Sequence, residues 1–322
     1  MKVMYGLGPV KFKKIAVAIG IFDGVHRGHQ MLIKSMVKEA KHLKAKAVVI
    51  TFFPHPAHVL CPDLSLPYLM SLQYRLALLQ ELGVDAVLVI RFNKRFARID
   101  PHYFIKKILV QRLHVQSIFV GEDFRFGRNR SADVTLFEQL AQGYGYRMHA
   151  VKALKQGGKV ISSSRLRRLI PQGQLSEAQK LLGRPVSILG HVVHGSARGE
   201  LLGYPTANVH YESALLPPQG VYAVRVVWKN KTLYGMANLG IRPSFKSRKP
   251  ASPAGLAKGG SGGPKVHLEV HVFDFNVNLY GQEVLVEFLQ RIRDEKAFPS
   301  KEDLICQIRQ DEKTIRRLLK VE

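Results

Sequence analysis

The chain has 322 residues, 46% of them hydrophobic and 23% charged. That is enough for two domains with cores of their own, and it excludes a disordered tail, a collagen-like fibre and a small cystine-stapled scaffold. Lysine and arginine number 49 against 24 acidic residues, a net charge of +25; residues 1–184 carry 30 basic and 11 acidic side chains, and residues 185–322 carry 19 and 13. A field of this sign draws polyanions, whether nucleotide phosphates or nucleic acid, and scattered charge of this kind also arises with no partner at all.

The N-terminal stretch MKVMYGLGPVKFKK has no apolar segment of the secretory type. The apolar run Ile15–Phe22 is far short of the ~20 residues that span a bilayer. A cytoplasmic location with no membrane partner is therefore expected. Cys61 and Cys306, the only cysteines, suit a reducing compartment. Ile15–Phe22 reads as a buried parallel strand. Gly28–Leu43 then shows helical spacing, with Leu32, Ile33, Met36, Val37 and Ala40 on one face. Ala47–Phe53 is the next strand, broken by Pro54-His55-Pro56. Helix over Gln73–Leu82, strand over Ala86–Ile90, helix over His102–Leu113, strand over Ser117–Val120 and helix over Val134–Gln142 follow. This alternation predicts an α/β domain with a doubly wound parallel sheet, whose ligands bind at the carboxyl ends of the strands. Arg91 to Arg98 is a dense basic cluster interleaved with Phe92 and Phe96, rings that could stack on bases, although no RNA-binding fold signature surrounds it.

Ser176–Leu182 reads as a short helix ended by Gly183, with Pro185 beyond, and the domain boundary is placed at residue 184. Residues 185–322 change character. Strands are expected over Val186–His194, Gly220–Trp228, Thr232–Asn238, His267–Phe275 and Glu283–Leu289, with a hairpin turn at Lys229-Asn230-Lys231. Their close spacing predicts an antiparallel β-barrel, and Asp303–Leu319 closes the chain as an amphipathic helix. Lys246–Lys265, rich in Gly, Pro, Ser and Lys, reads as a surface loop.

Gly20 to His29 (GIFDGVHRGH) joins the first strand to the first helix. Free backbone N–H groups at a helix N-terminus bind phosphate. Gly24 and Gly28 allow close backbone approach. His26 and His29, three apart, share one face and can donate to a phosphate that gains charge in a transition state. A zinc site lacks a third ligand at suitable spacing. Ile161–Arg167 (ISSSRLR) offers hydroxyls, free N–H groups and Arg167 to a polyphosphate, and it reads equally as a capped basic helix. In the second half, Gly195, Gly199 and Gly203 lie four apart in a segment suited to wrapping phosphates. Thr206 and Asn208 put two oxygens on one side of an extended chain, a reasonable Mg²⁺ site when substrate phosphates complete it. Glu269 and His271 share a strand face; the carboxylate there can take a hydroxyl proton, or the face is simply solvated.

The order G-x-F-D-G-V-H-x-G-H, T-F-x-P-H-P at Thr51–Pro56, G-E-D-F-R-F-G at Gly121–Gly127 and I-S-S-S-x-L-R resembles the adenylyltransferase half of the prokaryotic bifunctional riboflavin kinase/FAD synthetase family. P-T-A-N at Pro205–Asn208, with Pro217–Ala223, Asn238–Phe245, Glu269–Phe275 and Ile292–Phe298, resembles its riboflavin kinase module. The resemblance implies an FMN adenylyltransferase domain over 1–184 and a riboflavin kinase domain over 185–322. It further implies ATP, riboflavin and FMN as substrates, FAD as product, and Mg²⁺ as cofactor. It assigns His26 and His29 to the transition state and Gly20, Phe22, Asp23, Gly24, Gly28, Ser163, Ser164 and Arg167 to ATP. His55, Pro56, Asp123 and Phe124 line the flavin and nucleotide clefts. In the kinase half it gives Glu269 as base, Gly195, Gly199 and Gly203 at the phosphates, Thr206 and Asn208 at metal and phosphates, and Arg293 on the flavin side.

The chain departs from the family at Ile21, where Asn is frequent, at Phe53, where an acidic residue is frequent, at Ser131-Ala132, which lacks a frequent Gly, and in the length of Lys246–Lys265. An RNA-binding protein on a nucleotidyltransferase scaffold is the alternative suggested by the charge. No anticodon-binding or RNA-recognition module supports it, so no nucleic-acid partner is expected. Both halves carry full residue sets, which argues against a chain with one decayed half.

Overall fold

The computed structural model describes all residues except 9–11, 128–131, 195–202, 242–265, 276 and 322, and leaves out the side chain of Ile241. The chain divides into two compact units. Met1–Leu169, Ser176–Arg184 and Ser213–Leu215 form the first; Ile170–Leu175, Pro185–Glu212 and Leu216–Glu322 form the second.

The first unit is built on a six-stranded sheet in the order β1-β4-β3-β2-β5-β6, all parallel. Its strands are β1 (Lys2–Tyr5), β2 (Ile15–Ile19), β3 (Lys46–Phe53), β4 (Ala86–Arg91), β5 (Val115–Gly121) and β6 (Arg147–Val151). The helices are α1 (Arg27–His42), α2 (Pro56–Leu60), α3 (Leu72–Glu81), α4 (Lys94–Ala97), α5 (Pro101–Tyr103), which runs into a π-helical segment over Phe104–Arg112, and α6 (Val134–Tyr144). A small hairpin of β7 (Lys155–Gln156) and β8 (Lys159–Val160) precedes α7 (Ser163–Leu169) and α8 (Leu175–Leu182). Successive side chains of a strand point to opposite faces, and both faces of this sheet are buried. Ile15, Val17 and Ile19 of β2 join Val48 and Ile50 of β3 and the buried stripe Phe104, Ile105, Ile108 and Leu109 on one side. Ala16 and Ala18 meet Leu32, Ile33, Met36 and Ala40 of α1 on the other. The five residues expected on the inner face of α1 are the ones buried there.

From β2 the chain runs through β3 to β4 and then returns to place β5 on the other side of β2. The strand order therefore reverses at β2/β5, and the loops that leave these two strands share one end of the sheet. Phe92 and Phe96, read from sequence as rings able to stack on bases, pack instead among Phe52, Phe104 and Phe126 in the core.

The second unit is a closed antiparallel barrel in the order β10-β13-β12-β11-β14-β9. Its strands are β9 (Val186–Val193), β10 (Ala207–Tyr211), β11 (Gly220–Trp228), β12 (Lys231–Ile241), β13 (Val266–Val272) and β14 (Glu283–Arg293). The terminal helix α9 (Lys301–Leu319) starts at Ser300, whose hydroxyl accepts the Asp303 N–H at 3.1 Å. It packs against β12. β1, β6, β7, β8 and β10 are strands beyond those expected from the sequence. The expected surface loop Lys246–Lys265 lies outside the described residues.

Candidate active sites

In the first unit the loop between β2 and α1 is held by its carbonyl groups. Thr51 Oγ1 and Arg75 Nη1 donate to Ile21 O at 2.9 and 3.0 Å. Ser163 Oγ donates to Asp23 O at 2.8 Å, and Arg184 donates to Gly24 O at 2.7 Å and Val25 O at 3.1 Å. Gln30 Nε2 also reaches Val25 O, at 2.9 Å. With the carbonyls tied back, the electropositive end of the peptide chain and of α1 is what the loop offers to a ligand. The backbone adopts positive φ at Phe22 (54°), Gly24 (87°) and Val25 (38°). At Gly24 a Cβ would stand 2.7 Å from Leu69 Cδ1, so both torsion and space call for glycine. At Gly28 a Cβ would meet the His26 ring at 3.3 Å, so this glycine makes room for the imidazole.

His26 is the N-cap of α1, and its Nδ1 accepts the His29 N–H at 3.3 Å. The acceptor role of Nδ1 puts the proton of a neutral ring on Nε2. The two imidazoles stack with centroids 3.6 Å apart, and Phe22 meets His29 edge-on at 5.3 Å. Burial lowers the His26 pKa to about 4, with Arg184 adding to the effect. His29 is pushed well below its ordinary value by burial first, then by His26, Arg75 and Arg184. Both shifts favour the neutral imidazole, a ring that carries one N–H donor. His29 Nδ1 is buried with no hydrogen-bond partner among the described residues.

Asp23, 2% exposed, takes the Leu69 N–H on both oxygens at 3.2 Å and pairs with Arg167 and, at 3.6 Å, with Arg75. Burial raises its pKa, against the pull of Arg75 and Arg167. Arg167 also donates to Pro67 O at 2.9 Å. His55 caps α2 through Nδ1, which accepts from Ala57 N at 3.0 Å, and its own N–H donates to Tyr68 Oη at 2.8 Å. Its pKa falls to about 4 through burial, then Arg167, His58 and Arg75. Pro56 opens α2.

The structure thus draws Gly20, Phe22, Asp23, Gly24, His26, Gly28 and His29 into one loop and the first turn of α1 that follows it. It ties Ser163 and Arg167 directly to Asp23, and His55 feels the Arg167 charge. Ser164 stands next in α7. Asp123 is exposed and Phe124 half-buried in the turn after β5, the strand paired with β2; Phe124 packs against Phe126 and Phe137. Arg75, Arg184 and Tyr68 escape sequence reading, and Thr51 is read there only as the first residue of the T-F-x-P-H-P motif. Arg75 sits on an ordinary-looking helix, and nothing in its local pattern signals that its guanidinium is wholly buried. Among the departures, Ile21 offers only its carbonyl to the loop network. Phe53 is exposed and stacks on Tyr68 at 5.8 Å. Ala132 is buried and pairs its backbone with Phe126, while Ser131 lies outside the described residues.

In the second unit a cavity of about 390 Å³ opens between the barrel wall and α9. Thr206, Glu269, His271 and Arg293 line it, with Asn238 and Phe298. Asn208 stands directly opposite Glu269 in the β10/β13 ladder, and Asn238 opposite it in β12/β13. Asn238 donates to Glu295 at 3.2 Å. Asn208 shares the face of the ladder that carries Glu269 on β13, and Thr206, one residue before β10, lines the cavity with Glu269 and His271. Arg293 makes a two-pronged contact with Asp311 of α9, Nε at 2.8 Å and Nη2 at 2.8 Å from Oδ2, and lies over the Phe298 ring. Gly203 has positive φ, and a Cβ there would meet none of the described residues within 4 Å; Gly195 and Gly199 lie outside the described residues. A hydroxyl and a side-chain amide oxygen beside a carboxylate are hard ligands of the kind Mg²⁺ accepts.

A family model described as FAD synthetase matches residues 9–165, and one described as riboflavin kinase matches residues 182–319. The bifunctional riboflavin kinase/FMN adenylyltransferase of Buchnera aphidicola subsp. Schizaphis graminum is 36% identical, over 98% of this chain and 98% of its own. That of Escherichia coli strain K12 is 38% identical, over 93% of this chain and 91% of its own. A crystal structure from Streptococcus pneumoniae, described as a macrolide-efflux protein, superposes with a TM-score of 0.81 at 31% identity, over 98% of this chain and 99% of that one. Among the described residues no helix is long and apolar enough to cross a membrane.

Proposed function

Because this chain belongs to the bifunctional riboflavin kinase/FMN adenylyltransferase family, we propose which of its residues carry each of the two reactions. It phosphorylates riboflavin to FMN with ATP, and it transfers AMP from a second ATP to FMN, giving FAD and pyrophosphate. We assign the adenylyl transfer to residues 1–184 and the phosphorylation to residues 185–322.

For adenylyl transfer, the FMN phosphate attacks the α-phosphorus of ATP and pyrophosphate leaves. No protein nucleophile is needed, so the residues position and stabilise charge. His26 and His29 donate N–H groups to the α-phosphate as charge builds there. Neutral imidazoles suit this task, since a donor of fixed geometry stabilises the transition state without holding the triphosphate tightly beforehand. Gly20, Phe22, Asp23, Gly24 and Gly28 shape the loop that faces the phosphates; Ser163, Ser164 and Arg167 hold them from α7. His55 and Pro56, with Asp123 and Phe124, border the flavin and nucleotide clefts. The stacked, neutral imidazole pair at the N-terminus of α1, placed where the strand order reverses, is the observation that supports this reading most.

For phosphorylation, Glu269 takes the proton of the terminal ribityl hydroxyl as that oxygen attacks the γ-phosphorus. Thr206 and Asn208 would hold Mg²⁺, with Gly195, Gly199 and Gly203 at the phosphates. The ion would shield phosphate charge. Arg293, fixed by Asp311, would stand at the flavin. The cytoplasm, where both substrates are at hand, is the proposed location, and no nucleic-acid partner is part of the reading.

The test separates the halves. His29→Ala abolishes FAD formation from FMN and leaves FMN formation from riboflavin intact, as chromatography of the flavins will show; Glu269→Gln does the reverse. A folded His29→Ala protein that loses both activities together would refute the assignment.

A further inference from the structure

We propose that His271 is a positioning residue of the kinase site, which sets Thr206 for the metal–nucleotide complex by holding the carbonyl of Pro205. The inference rests on the assignment of Thr206 and Glu269 to that site. Its basis is a single directed contact. His271 Nδ1 lies 2.8 Å from Pro205 O. A carbonyl oxygen only accepts, so the proton is on Nδ1 and the tautomer is fixed. The residue that receives this bond directly precedes Thr206, whose side chain must bring a hydroxyl to a cation with strict geometric demands.

The surroundings show why such a tie is needed. The β10/β13 ladder runs from Ala207 opposite Val270 to Val209 opposite Leu268. Thr206 is one residue before its first rung, so the ladder does not fix it. Two side-chain contacts take over. Tyr204 meets the His271 ring edge-on at 5.2 Å, and its hydroxyl feels the charges of Glu312 and Arg309 of α9. His271 holds Pro205. His271 stands opposite Met236 in the β12/β13 ladder, and its carbonyl lies so close to Gly235 of β12 that a Cβ there would fall 2.1 Å from it. β13 thus supplies two groups to one cavity from alternate positions, Glu269 for the reacting hydroxyl and His271 for the segment that carries Thr206.

Removing a group that orients a metal ligand typically lowers metal affinity by about 10–100-fold. His271→Phe keeps the ring against Tyr204 and removes the donor. His271→Asn keeps a donor near the place of Nδ1. Two measurements are made on the full chain. The first is Mn²⁺ binding in the presence of ADP, followed by electron paramagnetic resonance. The second is the dependence of FMN formation on Mg²⁺ and riboflavin. We expect His271→Phe to weaken Mn²⁺·ADP binding about tenfold or more and to raise the Mg²⁺ requirement in parallel. The KM for riboflavin and FAD formation from FMN stay within about twofold of the parent. His271→Asn recovers most of the metal affinity. Wild-type Mn²⁺ binding in His271→Phe overturns the proposal, and so does equal weakening in both variants, which would mark the ring as packing only. Glu269→Gln separates this inference from the assignment beneath it. If that variant still phosphorylates riboflavin at the parent rate, the site itself is misassigned.

Discussion

Gly24 shows how one residue ties backbone conformation to chemistry. Its φ of 87° costs an L-residue about 1–2 kcal/mol, and Leu69 leaves no room for a methyl group. Gly24→Ala is therefore expected to lower the melting temperature of the first unit and to depress FAD formation, while FMN formation continues; calorimetry with the two flavin assays checks this. The glycine and the paired histidines were legible in sequence because they sit in a short motif between an apolar run and a helical pattern. Arg75 was not. Its guanidinium is fully buried, with Nε and Nη2 lacking hydrogen-bond partners among the described residues, and it faces Asp23 across 3.6 Å. Breaking a buried ion pair from one side costs about 3–5 kcal/mol. Arg75→Met should accordingly destabilise the first unit strongly, and adding Asp23→Asn should restore part of that stability. If the double variant is no more stable than Arg75→Met, the pair is not coupled as described.

At the scale of elements, long periodic segments were readable and short ones were not. The inner stripe of α1 follows from spacing alone, because five apolar residues can share a face of that helix in one way. β1, four residues with no buried position, and β10, with one, carry too little apolar signal to stand out. The segment after α5 illustrates a different limit. Its sequence reads as α-helix, and its apolar residues do face the core, but the hydrogen bonds take the wider π pattern. Periodicity reports which side chains are buried and is nearly blind to that difference. The cavity of the second unit was legible in part: Thr206, Glu269 and Arg293, singled out in the sequence, line it, whereas the contacts of α9 that shape it join residues far apart in the chain.

For the whole molecule, the first unit carries a built-in acid sensitivity. His26 and His55 ionise near pH 4 when folded and near 6.5 when unfolded. As pH falls below 6.5 the unfolded chain binds protons that the native unit refuses, so stability drains between about pH 6.5 and 4 and levels off below. Each such histidine accounts for on the order of 3 kcal/mol across that window. Scanning calorimetry from pH 7.5 to 4.5 should show the melting temperature of the first unit falling steeply, and His55→Gln should flatten the fall. A first unit whose melting temperature is constant across this window would contradict the burial of neutral imidazoles.

The barrel of the second unit has a further consequence. A sheet closed on itself offers no unpaired row of backbone groups on which a stray extended segment can be templated. The open sheet of the first unit does end in such rows, at β1 and β6, and each of these strands is short and begins with a cation, Lys2 and Arg147. Like charges on approaching copies repel, so the margins most exposed to misassembly are also the ones guarded against it.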